Sequence, residues 1–329
     1  MTILPAMLYP LKFTPIFKER VWGARNLERL YRKPLPAGVP IGESWEITDR
    51  PGDVSVIANG PLAGRDLRWL MEHHARELLG EARALNGRFP LLIKILDAND
   101  TLSLQVHPPA ARAAELKGDP KTEMWFITEA QPDAALFVGL RKGVTRSDFE
   151  RKIANGTVAE CFYRHNVRAG DAMFLPSGRV HAIGAGNVIF EIQQNSDTTY
   201  RVFDWNRVGL DGRPRELHVP QSLASIDFAD FEPPLAPRDA VKNGEASVRT
   251  LAECSLFRVE HVGIGHAGRT ALPAGVMHVL GMVAGEMTVV SATGNLELKA
   301  GDFALVPAAV KAEVHAAAPV AFLRAEAGR

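Results

Sequence analysis

Residues 170–183, GDAMFLPSGRVHAI, decide the fold of this chain, because the same phrase returns at residues 301–314 as GDFALVPAAVKAEV. The two copies share a Gly-Asp pair and a proline, but His181 of the first copy is replaced by Ala312 in the second. A Gly-Asp turn, an apolar strand and a proline-containing turn are typical of a small antiparallel β-barrel. A histidine just past the second turn can point into the barrel mouth. Function is therefore expected around His181.

Short runs of β-branched and aromatic residues predict strands around this phrase. They are Phe89–Leu96, Leu102–His107, Glu123–Thr128, Ala134–Leu140, Asp171–Pro176, Asn187–Gln194 and Thr199–Trp205. Apolar periodicity and capping residues predict helices between the strands. These are Asn26–Lys33, Asp66–Leu85, Pro108–Lys117 and Ser147–Asn155. The sequence thus predicts a mainly β fold of two antiparallel barrels with a few flanking helices.

A proline-rich stretch, FEPPLAPRDAVKNG at residues 231–244, is typical of a linker. It predicts one domain at residues 1–235, which carries His181 and the helical insertions, and a second at residues 236–329. The strands of the second domain are expected from about Val248. Because its copy of the phrase lacks the histidine, this second domain is predicted to be metal-free and degenerate.

Composition limits the classes of function. The 38 basic and 38 acidic side chains give a formal net charge of 38 − 38 = 0, so no overall field draws the chain to nucleic acid or to an anionic membrane. No glycine-rich nucleotide loop is present. Two distant cysteines, Cys161 and Cys254, suit a reducing compartment. The start, MTILPAMLYP, lacks the pattern of an export signal, and a cytoplasmic protein is expected.

Four polar residues near the predicted strands form a candidate metal site. The side-chain period of a strand places Gln105 and His107 on one face, Glu123 opens the next strand, and His181 follows the turn of the phrase. Two imidazoles, a carboxylate and an amide oxygen suit Zn²⁺ with a position left open for catalysis. One zinc ion per chain is expected.

At this point the chain resembles the cupin superfamily and, within it, the type I mannose-6-phosphate isomerases of the short bacterial form. The resemblance rests on five phrases, in the family's order: IGESWEI (41–47), LIKILDANDTLSLQVHP (92–108), KTEMWFI (121–127), LPSGRVHAIGAG (175–186) and QNSDTTYRVFDWNR (194–207). One departure from the general cupin phrase is Ala185, where an asparagine is usual.

The resemblance implies a jelly-roll barrel and zinc held by His107, Glu123 and His181 together with Gln105. It also implies that Arg201 is the active-site arginine, with Ser103 and Lys121 beside the substrate. The implied activity is the interconversion of mannose 6-phosphate and fructose 6-phosphate through an enediolate. Arg201 offers a planar fork for an oxyanion, and Lys121 a compact charge for a phosphate.

The sequence leaves several points open. The base that moves the proton is either Glu191 or a zinc-bound water, and Glu191 can also be read as an exposed strand carboxylate. A non-catalytic sugar-sensing cupin is the alternative function, and an iron-dependent cupin oxygenase is a more distant one. A monomer and a homodimer are both compatible with the sequence.

Overall fold

The structure, a computed structural model, describes residues 7–329. Residues 1–6, which begin the predicted first domain and contain part of the stretch examined for an export signal, lie outside the described residues. Within the described part of the chain, no helix has the length and apolar character needed to cross a membrane.

Strands make up most of the regular structure. In chain order they are β1 (Phe13–Thr14), β2 (Ile16–Ala24), β3 (Ile41–Ile47), β4 (Asp49–Arg50), β5 (Asp53–Val54), β6 (Val56–Ile57), β7 (Leu91–Ala98), β8 (Leu104–Val106), β9 (Glu123–Ala130), β10 (Ala135–Leu140), β11 (Phe162–Asn166), β12 (Ala172–Leu175), β13 (His181–Ile183), β14 (Asn187–Gln194), β15 (Tyr200–Phe203), β16 (Val241–Asn243), β17 (Ala246–Glu253), β18 (Phe257–Ile264), β19 (Gly268–Ala271), β20 (His278–Ala284), β21 (Glu286–Ser291), β22 (Leu296–Lys299), β23 (Phe303–Val306), β24 (Ala312–Ala316) and β25 (Val320–Ala327).

The helices are short. They are α1 (Asn26–Tyr31), α2 (Leu67–His73), α3 (Ala75–Leu79), α4 (Ala110–Ala113), α5 (Arg146–Ala154) and α6 (Val219–Ser225), with one turn of 3₁₀ helix at Val158–Cys161. The prediction of a mainly β fold with few helices is confirmed.

The single helix predicted over Asp66–Leu85 is wrong in extent. Its start is right, because Asp66 accepts a hydrogen bond from the backbone N–H of Trp69 at 2.7 Å. The helix is interrupted at His74, which separates α2 from α3, and α3 ends before Gly80, which has a φ of 63°. A Cβ at this position would lie 2.2 Å from the carbonyl oxygen of Gly275, so close packing against a distant loop ends the helix.

The other predicted helices also differ at their ends. α5 is capped by Thr145, whose side chain accepts a hydrogen bond from the backbone N–H of Asp148, while the backbone N–H of Thr145 donates to the Asp148 carboxylate. The cap therefore lies two residues before Ser147. Only Ala110–Ala113 of the predicted Pro108–Lys117 helix is helical. α6 was not predicted.

The contacts within the chain form two compact units. Among the described residues, one comprises residues 7–16, 45–94 and 236–329, and the other comprises residues 17–44 and 95–235. Residues 45–94 thus group with the C-terminal residues, and one boundary between the units lies between residues 235 and 236. The predicted domains, 1–235 and 236–329, stay a proposal about folding units.

The unit of residues 17–44 and 95–235 contains the phrase with His181. Its strands belong to a five-stranded sheet, in the order β11-β10-β13-β8-β15, and to a six-stranded sheet, in the order β12-β9-β14-β7-β3-β2. Trp125 and Ile127 of one sheet pack with Leu136 and Val138 of the other in one buried cluster. No closed barrel forms along the described residues, so the two predicted jelly-roll barrels are not confirmed.

The other unit contains the second copy of the phrase. Its larger sheets have the orders β16-β17-β18-β25-β20-β23 and β19-β24-β21-β22. Buried side chains such as Met282, Val289, Val314 and Phe322 form its interior.

The two copies of the phrase fold in the same way, as the repeat predicts. Gly170 and Gly301 have φ angles of 86° and 85°. The backbone N–H of Gly170 donates to Ile127 O at 2.8 Å, and that of Gly301 donates to Met282 O at 2.9 Å. Each copy is therefore one turn-strand-turn unit, with glycine in a conformation that other residues rarely adopt.

Candidate metal centre and its surroundings

Three of the four predicted metal ligands meet at one end of the two sheets. His107 is the residue after β8, Glu123 is the first residue of β9, and His181 is the first residue of β13. Their exposed fractions are 1%, 0% and 1%. One ligand atom from each residue lies within 4.8 Å of the others. The strand ends therefore assemble a buried cluster of two imidazoles and one carboxylate that can hold a metal ion.

A row of side chains crosses the five-stranded sheet beside this cluster. His181 of β13 pairs with Gln105 of β8, and Gln105 pairs on its other side with Arg201 of β15. Directly paired residues of antiparallel strands project from the same face of a sheet. His181, Gln105 and Arg201 are therefore neighbours on the face that carries the candidate ligands.

The hydrogen bonds of the imidazoles fix which nitrogen faces the cluster. His107 Nδ1 lies 2.7 Å from Thr198 O, and His181 Nδ1 lies 2.9 Å from Arg179 O. A carbonyl oxygen only accepts, so in each neutral ring Nδ1 carries the proton and Nε2 presents a lone pair. These Nε2 atoms lie 2.9 and 3.2 Å from Glu123 Oε1. Three electron-pair donors thus converge.

The charges of these groups favour a bound cation. Burial, with the neighbouring charge of Lys121, lowers the pKa of His107 to about 3, so the ring is neutral at physiological pH. Burial alone would raise the pKa of Glu123, but the charge of Lys121 holds it well below its usual value. The neutral ring of His107 directs a lone pair, not a proton, at the carboxylate of Glu123, and a divalent metal ion fits this donor set.

Gln105 is close enough to contribute a fourth donor. Its Nε2 atom lies 3.2 Å from His181 Nε2. The oxygen and nitrogen of a side-chain amide have nearly the same shape, and a rotation by half a turn would present Oε1 instead. Gln105 as a direct ligand stays a prediction.

Lys121 and Ser103, predicted to lie beside the substrate, are both buried. Lys121 precedes β9 and is not part of it, yet its Nζ lies 3.2 Å from Glu123 Oε2. Burial would lower the pKa of Lys121, but the carboxylates of Glu123 and Glu191 raise it above its usual value. Lys121 is therefore a cation at neutral pH, directly beside a candidate metal ligand.

Glu191 is a buried carboxylate and not an exposed strand residue. It pairs in register with Trp125 of β9, and its Oε1 accepts a hydrogen bond from Trp125 Nε1 at 2.9 Å. The ring of Trp125 meets that of His181 edge-on, with 5.3 Å between centroids. The sequence reasoning missed Trp125, although the strand period of two from Glu123 places it on the same face.

Arg201 is held by a segment that the sequence reasoning also missed. Its Nη1 donates to the backbone carbonyl of Glu216 at 2.7 Å. Its Nε is buried and contacts no acceptor within residues 7–329. Burial and the nearby Arg215 lower the pKa of Arg201, but a guanidinium keeps its proton at neutral pH. One N–H of this half-buried cation is thus without a hydrogen-bond acceptor among the described residues.

The known proteins with similar sequences are described as mannose-6-phosphate isomerases. A family model described as the catalytic domain of type I phosphomannose isomerase matches residues 10–138. The mannose-6-phosphate isomerase ManA of Bacillus subtilis is 37% identical over 305 residues, which cover 91% of this chain and 93% of that protein. GmuF of the same organism, named a probable mannose-6-phosphate isomerase, is 34% identical over 306 residues, or 92% and 94% of the two chains.

A solved structure agrees. The crystal structure of the mannose 6-phosphate isomerase from Bacillus subtilis superimposes with a TM-score of 0.88 at 28% sequence identity. The match covers 96% of this chain and 99% of that one.

Proposed function

The chain belongs to the mannose-6-phosphate isomerase family, and from that premise we propose that it interconverts mannose 6-phosphate and fructose 6-phosphate through an enediolate with the help of one zinc ion. The chain is an isomerase. A sugar phosphate is its substrate class, and the reaction moves one proton between neighbouring carbons of that substrate.

One observation carries the proposal: a buried cluster able to hold a metal lies in the same cross-strand row as an arginine with a free donor. His181 and Arg201 flank Gln105 on adjacent strands. A metal and a guanidinium on one face can act on two oxygens of the same small molecule. This pairing suits a substrate whose neighbouring carbons both carry oxygen.

Zinc is the metal we assign to the cluster. His107, Glu123 and His181 would hold it, with Gln105 as the fourth ligand, in a cupin-like jelly roll formed by the two sheets. The set contains nitrogen and oxygen donors without cysteine, which is typical of catalytic zinc sites. When bound, zinc supplies a Lewis acid that polarises a carbonyl and stabilises negative charge on oxygen.

Glu191 is the base that we assign to the proton transfer. Its carboxylate takes the proton from C2 of the aldose, the electrons of that bond form the C1–C2 double bond of the enediolate, and the same proton is returned to C1. The proton of the O2 hydroxyl passes to O1 in the same conversion, so the ketose forms at C2. Trp125 Nε1–H fixes the carboxylate at 2.9 Å during these steps.

Arg201, Lys121 and Ser103 are assigned to substrate binding. Arg201 directs its Nε–H toward an oxyanion of the substrate, and this bond strengthens as the enediolate charge develops. Lys121 contributes positive charge beside Glu123 and balances the substrate dianion. Ser103, buried just before β8, offers a hydroxyl to a neutral sugar oxygen.

A sensor that only binds sugar is less well supported than an enzyme. Binding alone does not require a second carboxylate, and Glu191, buried and oriented by the hydrogen bond from Trp125 Nε1, supplies one suited to proton transfer. An oxygenase would not need Lys121 and Arg201. We place the enzyme in the cytoplasm, as a monomer or homodimer that binds neither nucleic acid nor membranes.

The test is a coupled assay for fructose 6-phosphate formed from mannose 6-phosphate by purified protein. We expect turnover that disappears with a chelator and returns with zinc. Binding of mannose 6-phosphate without any turnover, in protein with one equivalent of zinc, would identify a sensor instead.

A further inference from the structure

The segment Glu216-Leu217-His218, here called the clasp, makes three hydrogen bonds to Arg201. Arg201 Nη1 donates to Glu216 O at 2.7 Å. The backbone N–H of His218 donates to Arg201 O at 2.8 Å. The backbone N–H of Arg201 donates to Nδ1 of the His218 ring at 3.3 Å. The clasp therefore holds both the backbone and the guanidinium of one residue.

The position of Arg201 explains why a clasp is needed. β15 is an edge strand of the five-stranded sheet, so one side of its backbone has no neighbouring strand. A backbone N–H and a C=O left without partners cost free energy when they are shielded from water. His218 satisfies both groups at Arg201 and fixes the strand at the point where it meets Gln105.

The ring of His218 does not cap the helix that follows it. His218 precedes the first residue of α6, where a side chain commonly caps the helix, yet it makes no capping bond. Its ring packs near Tyr200, with 6.0 Å between centroids. The only hydrogen bond to the ring recorded in residues 7–329 is the one from Arg201.

We infer that His218 is a positioning residue for Arg201, and that the ring's hydrogen bond in the clasp forms only while the ring is unprotonated. Nδ1 accepts the Arg201 N–H with its lone pair. A proton on Nδ1 would place two N–H groups against each other and remove this contact. The inference rests on the proposed function, because it concerns the arginine assigned to the substrate.

The charges around the ring set the direction of the pH effect. Glu216 Oε2 lies 3.9 Å from His218 Nε2, and Arg201 is adjacent to the ring. Tyr200, the residue before Arg201 in β15, is the other titratable side chain near the ring. Burial lowers the pKa of His218 below its usual value, the Glu216 carboxylate opposes this effect, and Arg201 reinforces it. The ring is thus neutral at neutral pH, and the contact is lost as the pH falls through its pKa.

Two variants separate positioning from simple folding. His218→Asn keeps an acceptor but does not titrate, whereas His218→Leu removes the acceptor. We expect His218→Leu to lower kcat/KM by about 10-fold or more at pH 8, since small misplacements of an active-site group are costly. The difference should shrink in acid, where the wild-type ring also loses the contact. His218→Asn should stay within about 3-fold of the wild type at pH 8 and lose less activity in acid than the wild type.

The experiment measures kcat and KM between about pH 5 and pH 8, with zinc content determined for each variant. His165→Asn is the matched control, because His165 lies on β11 at the opposite edge of the same sheet. It should leave the acid limb unchanged. Wild-type kcat/KM in His218→Leu, or a wild-type acid limb in His218→Asn, would overturn the inference.

Imidazole ¹⁵N NMR of the wild type supplies a readout that needs neither substrate nor the leucine variant. The inference requires the Nε2–H tautomer of His218, with Nδ1 unprotonated. The opposite tautomer would overturn it, even if His218→Leu failed to fold. A wild-type enzyme that holds zinc and this tautomer but does not turn over mannose 6-phosphate would contradict the proposed function alone.

Discussion

His278 occupies, in the sheet of the C-terminal strands, the position that Glu123 occupies at the candidate metal centre. Glu123 pairs with Leu175, the last residue of β12, and His278 pairs with Val306, the last residue of β23. Leu175 and Val306 each precede the proline of their copy of the repeated phrase. The repeat thus extends from sequence to strand register, but a carboxylate in one copy is an imidazole in the other.

Two other ligand positions in the second copy are apolar. Ala312 occupies the position that corresponds to His181. Leu272 corresponds to Gln105, because its backbone N–H donates to Ala312 O at 3.0 Å, as expected for the strand neighbour of Ala312. His278 itself is bound to Pro273 O at 2.8 Å through Nε2. A single imidazole without further donors at the equivalent positions does not make a transition-metal site.

We therefore predict one metal ion per chain. His181→Ala should bring bound zinc close to zero, because it removes one of three converging donors. His278→Ala is the control from the second copy and should keep one equivalent. Metal analysis of purified, dialysed proteins tests this. Two equivalents in the wild type, or undiminished zinc in His181→Ala, would refute the assignment.

The repeated phrase indicates the candidate ligands in the sequence. A histidine retained in one copy and lost in the other indicates a site, and the period of two along a strand relates Gln105 to His107. These are local relations, and the structure brings His107, Glu123 and His181 together as they predict. The same local logic found the strand centres, because apolar runs are continuous in sequence.

Contacts between distant residues could not be read in the same way. Trp125 and Glu191 are in contact because β9 and β14 are neighbours, and no local pattern in the sequence indicates which strands pair. The chain returns from β15 so that the clasp contacts Arg201, and no sequence pattern in the intervening residues predicts this return. Gly80 ends a helix because of a loop nearly two hundred residues later. Each of these depends on topology, which follows from the whole chain.

Activity should depend on the metal. After chelation to a verified loss of zinc, we expect turnover of mannose 6-phosphate to fall to background, because polarisation of the carbonyl is the metal's contribution. Readdition of zinc should restore it. The coupled assay, with zinc measured in the same samples, provides the check. Full activity in metal-free protein would show that the cluster is not catalytic.

Glu191→Gln should separate the proton-transfer role from metal binding. We expect kcat to fall by roughly 10²–10⁴, the usual contribution of a general base, with zinc content unchanged. Trp125→Phe, which removes the 2.9 Å hydrogen bond but keeps an aromatic ring, should lower kcat by a smaller factor. Steady-state kinetics with metal analysis measures both effects. Normal kcat in Glu191→Gln would assign the base to another group.

The C-terminal sheets are predicted to be structural. Arg324 and Glu260 form a buried ion pair with Nε–Oε2 at 2.9 Å, and Arg258 also contacts Glu260 at 2.7 Å. Arg324→Ala should cost about 3 kcal/mol of unfolding free energy, because it leaves a buried charge poorly paired.

Denaturant titration measures this cost, and substitution of the exposed Lys299 by alanine should stay within about 0.5 kcal/mol of the wild type. KM for mannose 6-phosphate should be unchanged in both variants. A change in substrate preference without loss of stability in Arg324→Ala would give these sheets a binding role.

Arg201→Lys should be far more damaging than the conserved charge suggests. Arginine uses Nη1 for the carbonyl of Glu216 and still has Nε–H for a ligand, whereas a lysine ammonium is a point charge that cannot serve both in this geometry. If the second contact strengthens in the transition state, kcat and kcat/KM should both fall, by about 10²-fold or more. Zinc should remain bound, because arginine is not a ligand.

Two further substitutions serve as a control and as a contrast for Arg201→Lys. Arg146→Lys, on the exposed face of α5, controls for the change of side chain and should leave the kinetics unaltered. Lys121→Met removes a charge proposed to balance the substrate dianion and should raise KM more than it lowers kcat. Because Lys121 also lies 3.2 Å from Glu123, zinc content must be measured in that variant as well. An Arg201→Lys enzyme with normal kcat and kcat/KM would remove Arg201 from the active site, and with it the reason for a clasp.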